Sequence, residues 1–226
     1  MSGRGPGGHD GDSPHQGQEL ATAGTDLEDA EAAIVLVHGR GATAQSILQM
    51  GSELHREGIA LLAPQAAQRT WYPNSFLQPV ESNEPGRTSG LQAIADAIGE
   101  ATDAGIPTER IMVLGFSQGA CLSSEFVARN PDRYGGLVAF SGGLIGQDID
   151  REEYTDIDDN LEGTPAFLGC SDRDPHIPEE RVHDTADVLE ALGADVETRI
   201  YEGMGHGVNE DELEYVSGLV ADLLKA

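Results

Sequence analysis

Short apolar runs, each ending in a glycine-rich or polar turn and followed by a stretch with helical spacing, recur along most of this chain. Residues 32–38, 59–63, 111–114, 136–141, 165–170 and 196–201 are runs rich in β-branched and aliphatic residues. All six read as strands, and those at 32–38, 59–63 and 111–114 as buried ones. Between and after them, residues 45–57, 89–104, 120–129, 179–192 and 210–224 carry the spacing of amphipathic helices. In the second of these, Leu91, Ile94, Ala95 and Ile98 fall on one face. Strands alternating with helices of this length predict an α/β fold: a mostly parallel central sheet with helices on both faces. Residues 65–85 read as a long irregular segment, and an acidic loop is expected over 148–162. No internal repeat is visible.

The first 29 residues have almost no large apolar side chains and are rich in Gly, polar and acidic residues. Such a stretch buries too little surface to offset its chain entropy, so a disordered tail is expected over 1–29 and one folded domain over 30–226. His9 and His15, without cysteines nearby, do not make a metal site there.

Charge changes the picture next. Asp and Glu number 40 against 13 Lys and Arg, a formal net charge of −27, and Lys225 is the one lysine. A chain this acidic is expected to avoid nucleic acid and anionic membrane surfaces, which call for basic patches. The acids are spread along the chain instead of blocked, which points to adaptation to concentrated salt, where a Debye length of about 3 Å screens self-repulsion. No apolar run is long enough to span a membrane and the start lacks a signal-peptide core, so a soluble, cytoplasmic protein is expected. The two cysteines, Cys121 and Cys170, read as free thiols in or near the core. No cofactor is implied; a homodimer is compatible with the sequence.

Candidate chemistry gathers after the strands. Gly115-Phe-Ser-Gln-Gly119 lies between a strand and a helix, the context in which Gly-x-Ser-x-Gly forms a nucleophile elbow around Ser117. A serine hydroxyl needs a base, and His206, flanked by glycines just past the last strand, is the best placed. His55 and His183 fall on predicted helices, where a solvated face accounts for them. The base needs a carboxylate to orient it. Asp172 and Asp174 are both available, and Pro175 and Pro178 favour Asp174 by stiffening the turn that presents it. The order Ser117, Asp174, His206 is that of α/β-hydrolases. For the oxyanion, the backbone amides of Arg40, in the glycine-rich turn 38–41, and Gln118, at the helix start, are the natural donors. Trp71, Tyr72 and Phe76 either line an apolar acyl pocket or form a small satellite core under the long loop.

At these residues the chain resembles the phospholipase/carboxylesterase family of α/β-hydrolases, which includes acyl-protein thioesterase-like enzymes. The matching pieces are His38-Gly-x-Gly41, Gly115-Phe-Ser-Gln-Gly119, Asp174-Pro-x-Ile-Pro178 and Gly203-Met-x-His206, and the likeness extends over residues 32–226. The resemblance implies an α/β-hydrolase fold and a cofactor-free serine hydrolase acting on carboxylic esters or thioesters. It also supports Arg40 and Gln118 as oxyanion donors, although familiar members carry Leu where Arg40 stands. The reading is therefore a carboxylesterase for small esters. Thioesterase and lysophospholipase are rivals within the class, and a catalytically silent binding protein on the same fold is the rival outside it.

Overall fold

The computed structural model describes residues 13–155 and 160–225. Among the described residues, seven strands form one sheet in the order β1-β3-β2-β4-β5-β6-β7. They are β1 (Leu20–Gly24), β2 (Ala32–Val37), β3 (Ile59–Pro64), β4 (Ile111–Phe116), β5 (Gly136–Phe140), β6 (Pro165–Ser171) and β7 (Asp195–Tyr201). All neighbours from β3 to β7 pair in parallel, and β1 runs antiparallel along the β3 edge. The helices are α1 (Ala44–Leu54), α2 (Gly86–Asp103), α3 (Gln118–Arg129), α4 (Glu152–Thr155), α5 (Glu179–Ala191) and α6 (Glu210–Leu223).

The apolar runs become strands because both faces of the sheet are covered. In β2, Ala33, Val35 and Val37 face one core, which also holds residues of α2, α3 and α5. Ala32, Ile34 and Leu36 face the other, with Ile47 of α1 and Val216 of α6. This period-2 division leaves no polar face on the central strands, so they read as continuous hydrophobic runs. The expected α/β-hydrolase architecture is what the chain adopts.

Two expectations need correction. Residues 13–29 are not a disordered tail: Leu20–Gly24 is a strand, paired from Leu20 opposite Pro64 to Gly24 opposite Ala60, and His15 is buried. Backbone pairing to an open sheet edge and polar side-chain bonds order this segment with little apolar burial, which composition cannot reveal. Residues 1–12, including His9, lie outside the described residues. The buried side of α2 also differs from the one expected. Gly90, Ala93, Ile94, Ala97, Ile98 and Ala101 face inward, while Leu91 and Ala95 are half-buried. Small residues win because α2 lies close to α3: a Cβ on Gly90 would sit 2.8 Å from Leu122 Cδ2.

One buried charge braces the helices beside the site. Glu125 of α3 is fully buried and accepts hydrogen bonds from Arg87, Arg129, the Tyr154 hydroxyl and the Ile145 amide. A buried carboxylate persists only when paired this completely. Among the described residues, no helix is long and apolar enough to cross a membrane.

Candidate active site

Strand β4 ends at Phe116 and α3 starts at Gln118, which leaves Ser117 alone on the turn with φ 55° and ψ −119°. A side-chain-bearing residue in that region is strained and persists only when its surroundings hold it. The Ser117 amide donates to the Phe140 carbonyl at 2.9 Å, and the Cys121 amide donates to the Ser117 carbonyl at 3.0 Å. The flanking glycines are steric necessities. A Cβ on Gly115 would lie 2.3 Å from the Gly119 carbonyl oxygen, and one on Gly119 would lie 2.0 Å from that of Val37. The serine stands at the helix N-terminus, where the dipole favours negative charge.

His206 reaches Ser117 from the loop after β7. Its Nε2 lies 2.9 Å from Ser117 Oγ, and its Nδ1 lies 2.7 Å from Asp174 Oδ2. The Asp174 side chain is fully buried. Burial pushes its carboxyl up, but the bonds from His206 and from the His176 and Ile177 amides outweigh that and leave it below the ordinary aspartate value. Asp174 Oδ1 accepts those two amides at 2.8 and 3.1 Å, so the turn after β6 fixes the carboxylate before it meets the imidazole. Asp172 does a different job: its Oδ1 accepts the Gly203 amide at 2.7 Å. Ser171 Oγ likewise accepts the Gly205 amide at 3.0 Å. Gly203 and Gly205 adopt φ of 66° and 78°, conformations that glycine supplies at little cost.

The loop after β2 lies against the elbow, and a Cβ on Gly39 would be 3.4 Å from Ser117 Cβ. His38 is buried beneath this loop. Its Nδ1 donates to the Gly39 carbonyl at 2.8 Å, and its Nε2 accepts the Ala66 amide at 3.1 Å. Burial lowers its pKa, consistent with a neutral ring that shapes the loop. Gln118, as the first residue of α3, has an amide with no partner within the helix. Its side chain clamps the opposite wall: Oε1 accepts the Trp71 amide and Nε2 donates to the Tyr72 carbonyl, both at 2.9 Å. The Arg40 guanidinium grips the same wall, donating to the Tyr72, Pro73 and Asn74 carbonyls at 2.9, 3.0 and 2.7 Å. The charge that distinguishes Arg40 from leucine is thus turned onto the 72–74 backbone.

A pocket of about 560 Å³ opens over Ser117 and His206, with Arg40, Tyr72 and Phe76 on its wall and Cys121 also lining it. The three aromatics divide. Tyr72 and Phe76 line the pocket, whereas Trp71 is fully buried behind it. Both cysteines are buried free thiols, each pushed up to about 12 by burial. His55 lies just past the end of α1, half-buried, with Nε2 donating to the Ile59 carbonyl, and so is not on a solvated helix face. His183 sits on α5, exposed and beside Glu179. Sequence reasoning missed His176, whose ring lies edge-on to His206 with centroids 5.0 Å apart. It occupies the variable position of Asp-Pro-x-Ile-Pro, and proximity to Asp174 was the available signal. Among the described residues, no group of His, Cys, Asp and Glu could hold a metal.

The sequence profile of the phospholipase/carboxylesterase family matches residues 23–223. Acyl-protein thioesterase 1 of Kluyveromyces lactis is 32% identical over 143 residues, 62% of this chain and 61% of that protein. The match thus spans about three fifths of that relative's length. The protein of the same name from Saccharomyces cerevisiae is 30% identical over 183 residues, covering 77% of this chain and 75% of the relative. The crystal structure of a phospholipase/carboxylesterase from Dyadobacter fermentans superposes with a TM-score of 0.85 at 37% identity, covering 90% of this chain and 96% of that one. With a serine elbow, a histidine loop and a buried aspartate meeting beyond the carboxyl ends of the strands of such a sheet, the chain belongs to the phospholipase/carboxylesterase family.

Proposed function

We propose that this protein is a serine carboxylesterase, and the continuous hydrogen-bonded path from Ser117 Oγ through His206 to buried Asp174 carries the reading. His206 takes the serine proton as Ser117 attacks the ester carbonyl. Asp174 holds the imidazole with Nε2 facing the serine and stabilises the imidazolium that forms. The amides of Arg40 and Gln118 hold the oxyanion of the tetrahedral intermediate; loss of one such donor costs roughly 10²–10³ in rate. The intermediate collapses to an acyl-serine as His206 protonates the departing alkoxide. Water, deprotonated by the same histidine, then releases the acid. No metal or redox group is needed for these steps.

The pocket volume is in the range of sites for small and medium ligands, and Tyr72 and Phe76 give it an apolar wall for the acyl chain. A thioester is the second substrate class, favoured by the names of the K. lactis and S. cerevisiae relatives; the same machinery serves either leaving group. The net charge of −27 supports a soluble enzyme that works in molar salt.

Hydrolysis of p-nitrophenyl esters from acetate to decanoate, in dilute buffer and in molar KCl, with Ser117→Ala as control, tests this reading. Turnover that depends on Ser117 is the expected result. Folded wild-type protein that neither turns over any ester or thioester nor reacts with a fluorophosphonate would leave only a silent binding protein on this fold.

A further inference from the structure

His15 lies ahead of the residues that match the family profile, yet it is buried at 4% exposure against the back of the site. Its Nδ1 accepts the Ala67 amide at 3.0 Å and its Nε2 donates to the Trp71 carbonyl at 2.7 Å. The imidazole therefore joins the two ends of the turn 67–71. Inside that turn, Gln68 and Arg69 both adopt positive φ, 53° and 59°. Neighbouring strained residues of this kind hold their shape only when their ends are fixed from outside. Burial keeps His15 below the ordinary imidazole value, in the neutral form this donor–acceptor pairing requires.

What the turn holds is the oxyanion loop. The Arg69 carbonyl accepts the Gly41 amide at 2.7 Å. The Trp71 indole Nε1 donates to the His38 carbonyl at 2.8 Å, fixing the peptide just before Gly39. His38 does for Ala66 what His15 does for Ala67, and the two imidazoles flank Trp71 with ring centroids at 5.0 and 5.1 Å. The N-terminal segment is itself anchored on α2, where Ser89 Oγ accepts the His15 amide at 2.8 Å and donates to Gln16 at 2.6 Å.

The geometry points to His15 as a positioning residue for catalysis: by bridging Ala67 and Trp71 it fixes the strained turn that holds Gly41 and His38 on either side of the Arg40 amide. This rests on the serine-hydrolase reading above, and it makes the segment 13–24 a working part of the active site. His15 touches no substrate. Its influence reaches the reacting atoms through the placement of the oxyanion donor, so it belongs to the transition state more than to substrate binding.

The test uses the full-length chain with His15→Leu, which keeps bulk and removes both ring bonds, and His15→Gln, which keeps one donor and one acceptor. Hydrolysis of p-nitrophenyl butyrate and the emission of Trp71, the single tryptophan, are read on the same samples. The expected result for His15→Leu is a kcat lower by about 10- to 100-fold with KM within about 3-fold of wild type, since small misplacements cost rate on that scale. Trp71 emission should shift with it, and His15→Gln should recover part of both. An unchanged kcat in folded His15→Leu, or a loss carried wholly by KM, overturns the role. If His15→Leu does not fold, Ser89→Ala loosens the same segment more gently, and a kcat equal to wild type there also overturns it. Fluorophosphonate labelling of wild-type Ser117 separates the two readings. Labelled, active wild type with unaffected His15 variants sinks only the role of His15, whereas wild type that neither labels nor turns over sinks both.

Discussion

Asp172 accepts the backbone amide of Gly203 at 2.7 Å, so the carboxylate that does not touch His206 holds the loop that carries it. Two acids, separated by one residue at the end of β6, therefore serve one imidazole in different ways. Asp174→Asn should lower kcat by about 10⁴-fold with little change in folding, because the amide favours the wrong tautomer. Asp172→Ala should lower it far less, and should destabilise the protein by only about 0.5–1 kcal/mol, because the freed Gly203 amide is exposed and water takes the place of the carboxylate. Steady-state kinetics paired with urea titration distinguishes them; equal kinetic losses would refute the division.

Arg40 side-chain variants should report on the pocket wall. Arg40→Leu removes three bonds to the 72–74 carbonyls while keeping the backbone amide. KM for butyrate and longer esters should rise by about 3- to 10-fold, with kcat reduced less, since a wall that must be ordered on binding subtracts from affinity. A kcat loss without a KM change would place the guanidinium's role in the chemistry instead.

Gly119→Ala should prevent the elbow from forming. Its Cβ would stand 2.0 Å from the Val37 carbonyl, with backbone on both sides and nothing flexible to yield. A loss of about 3 kcal/mol or more is expected, or no soluble protein at all. Gly99→Ala, on α2 with nothing within 4 Å of the new Cβ, is the contrast. It should stabilise by up to about 1 kcal/mol in a denaturant titration.

Stability should depend on pH through Glu212. This residue pairs with Asn209 in the cap of α6, its Oε1 is buried without a partner, and burial raises its pKa from 4.5 to about 7. A raised acid contributes stability that is full below pH 4.5 and lost as pH rises through 7. Wild type should therefore lose stability between pH 5 and pH 8 relative to Glu212→Gln. Parallel melting curves across that window would count against the idea.

Salt should matter more than for an ordinary enzyme. With a formal net charge of −27 the folded chain repels itself in dilute buffer. The midpoint of thermal unfolding should climb as KCl is raised from 0.1 M towards 3 M, where the Debye length falls to a few ångströms. A flat midpoint would remove the support for a salt-adapted enzyme.

The sequence by itself determined the succession of β2 to β7 and of the long helices between and after them, because central strands covered on both faces must be continuous apolar runs, and these are visible without a structure. It also determined the elbow, since a Cβ at Gly115 or Gly119 collides with backbone and so glycine had to be written there. Ser117 and His206 were legible for the same reason: each follows a strand end beside glycines. The tertiary structure decided what depends on contacts distant in sequence. Which group across the loop Asp172 and Asp174 meet, Gly203 or His206, is set by the fold. Trp71 and Tyr72 are adjacent in the chain and both buried in the core, yet only Tyr72 also lines the pocket. The ordering of residues 13–29 was hidden most deeply. Its stability comes from pairing along β3 and from polar bonds of His15 to partners more than fifty residues away, and neither leaves a mark in composition or periodicity.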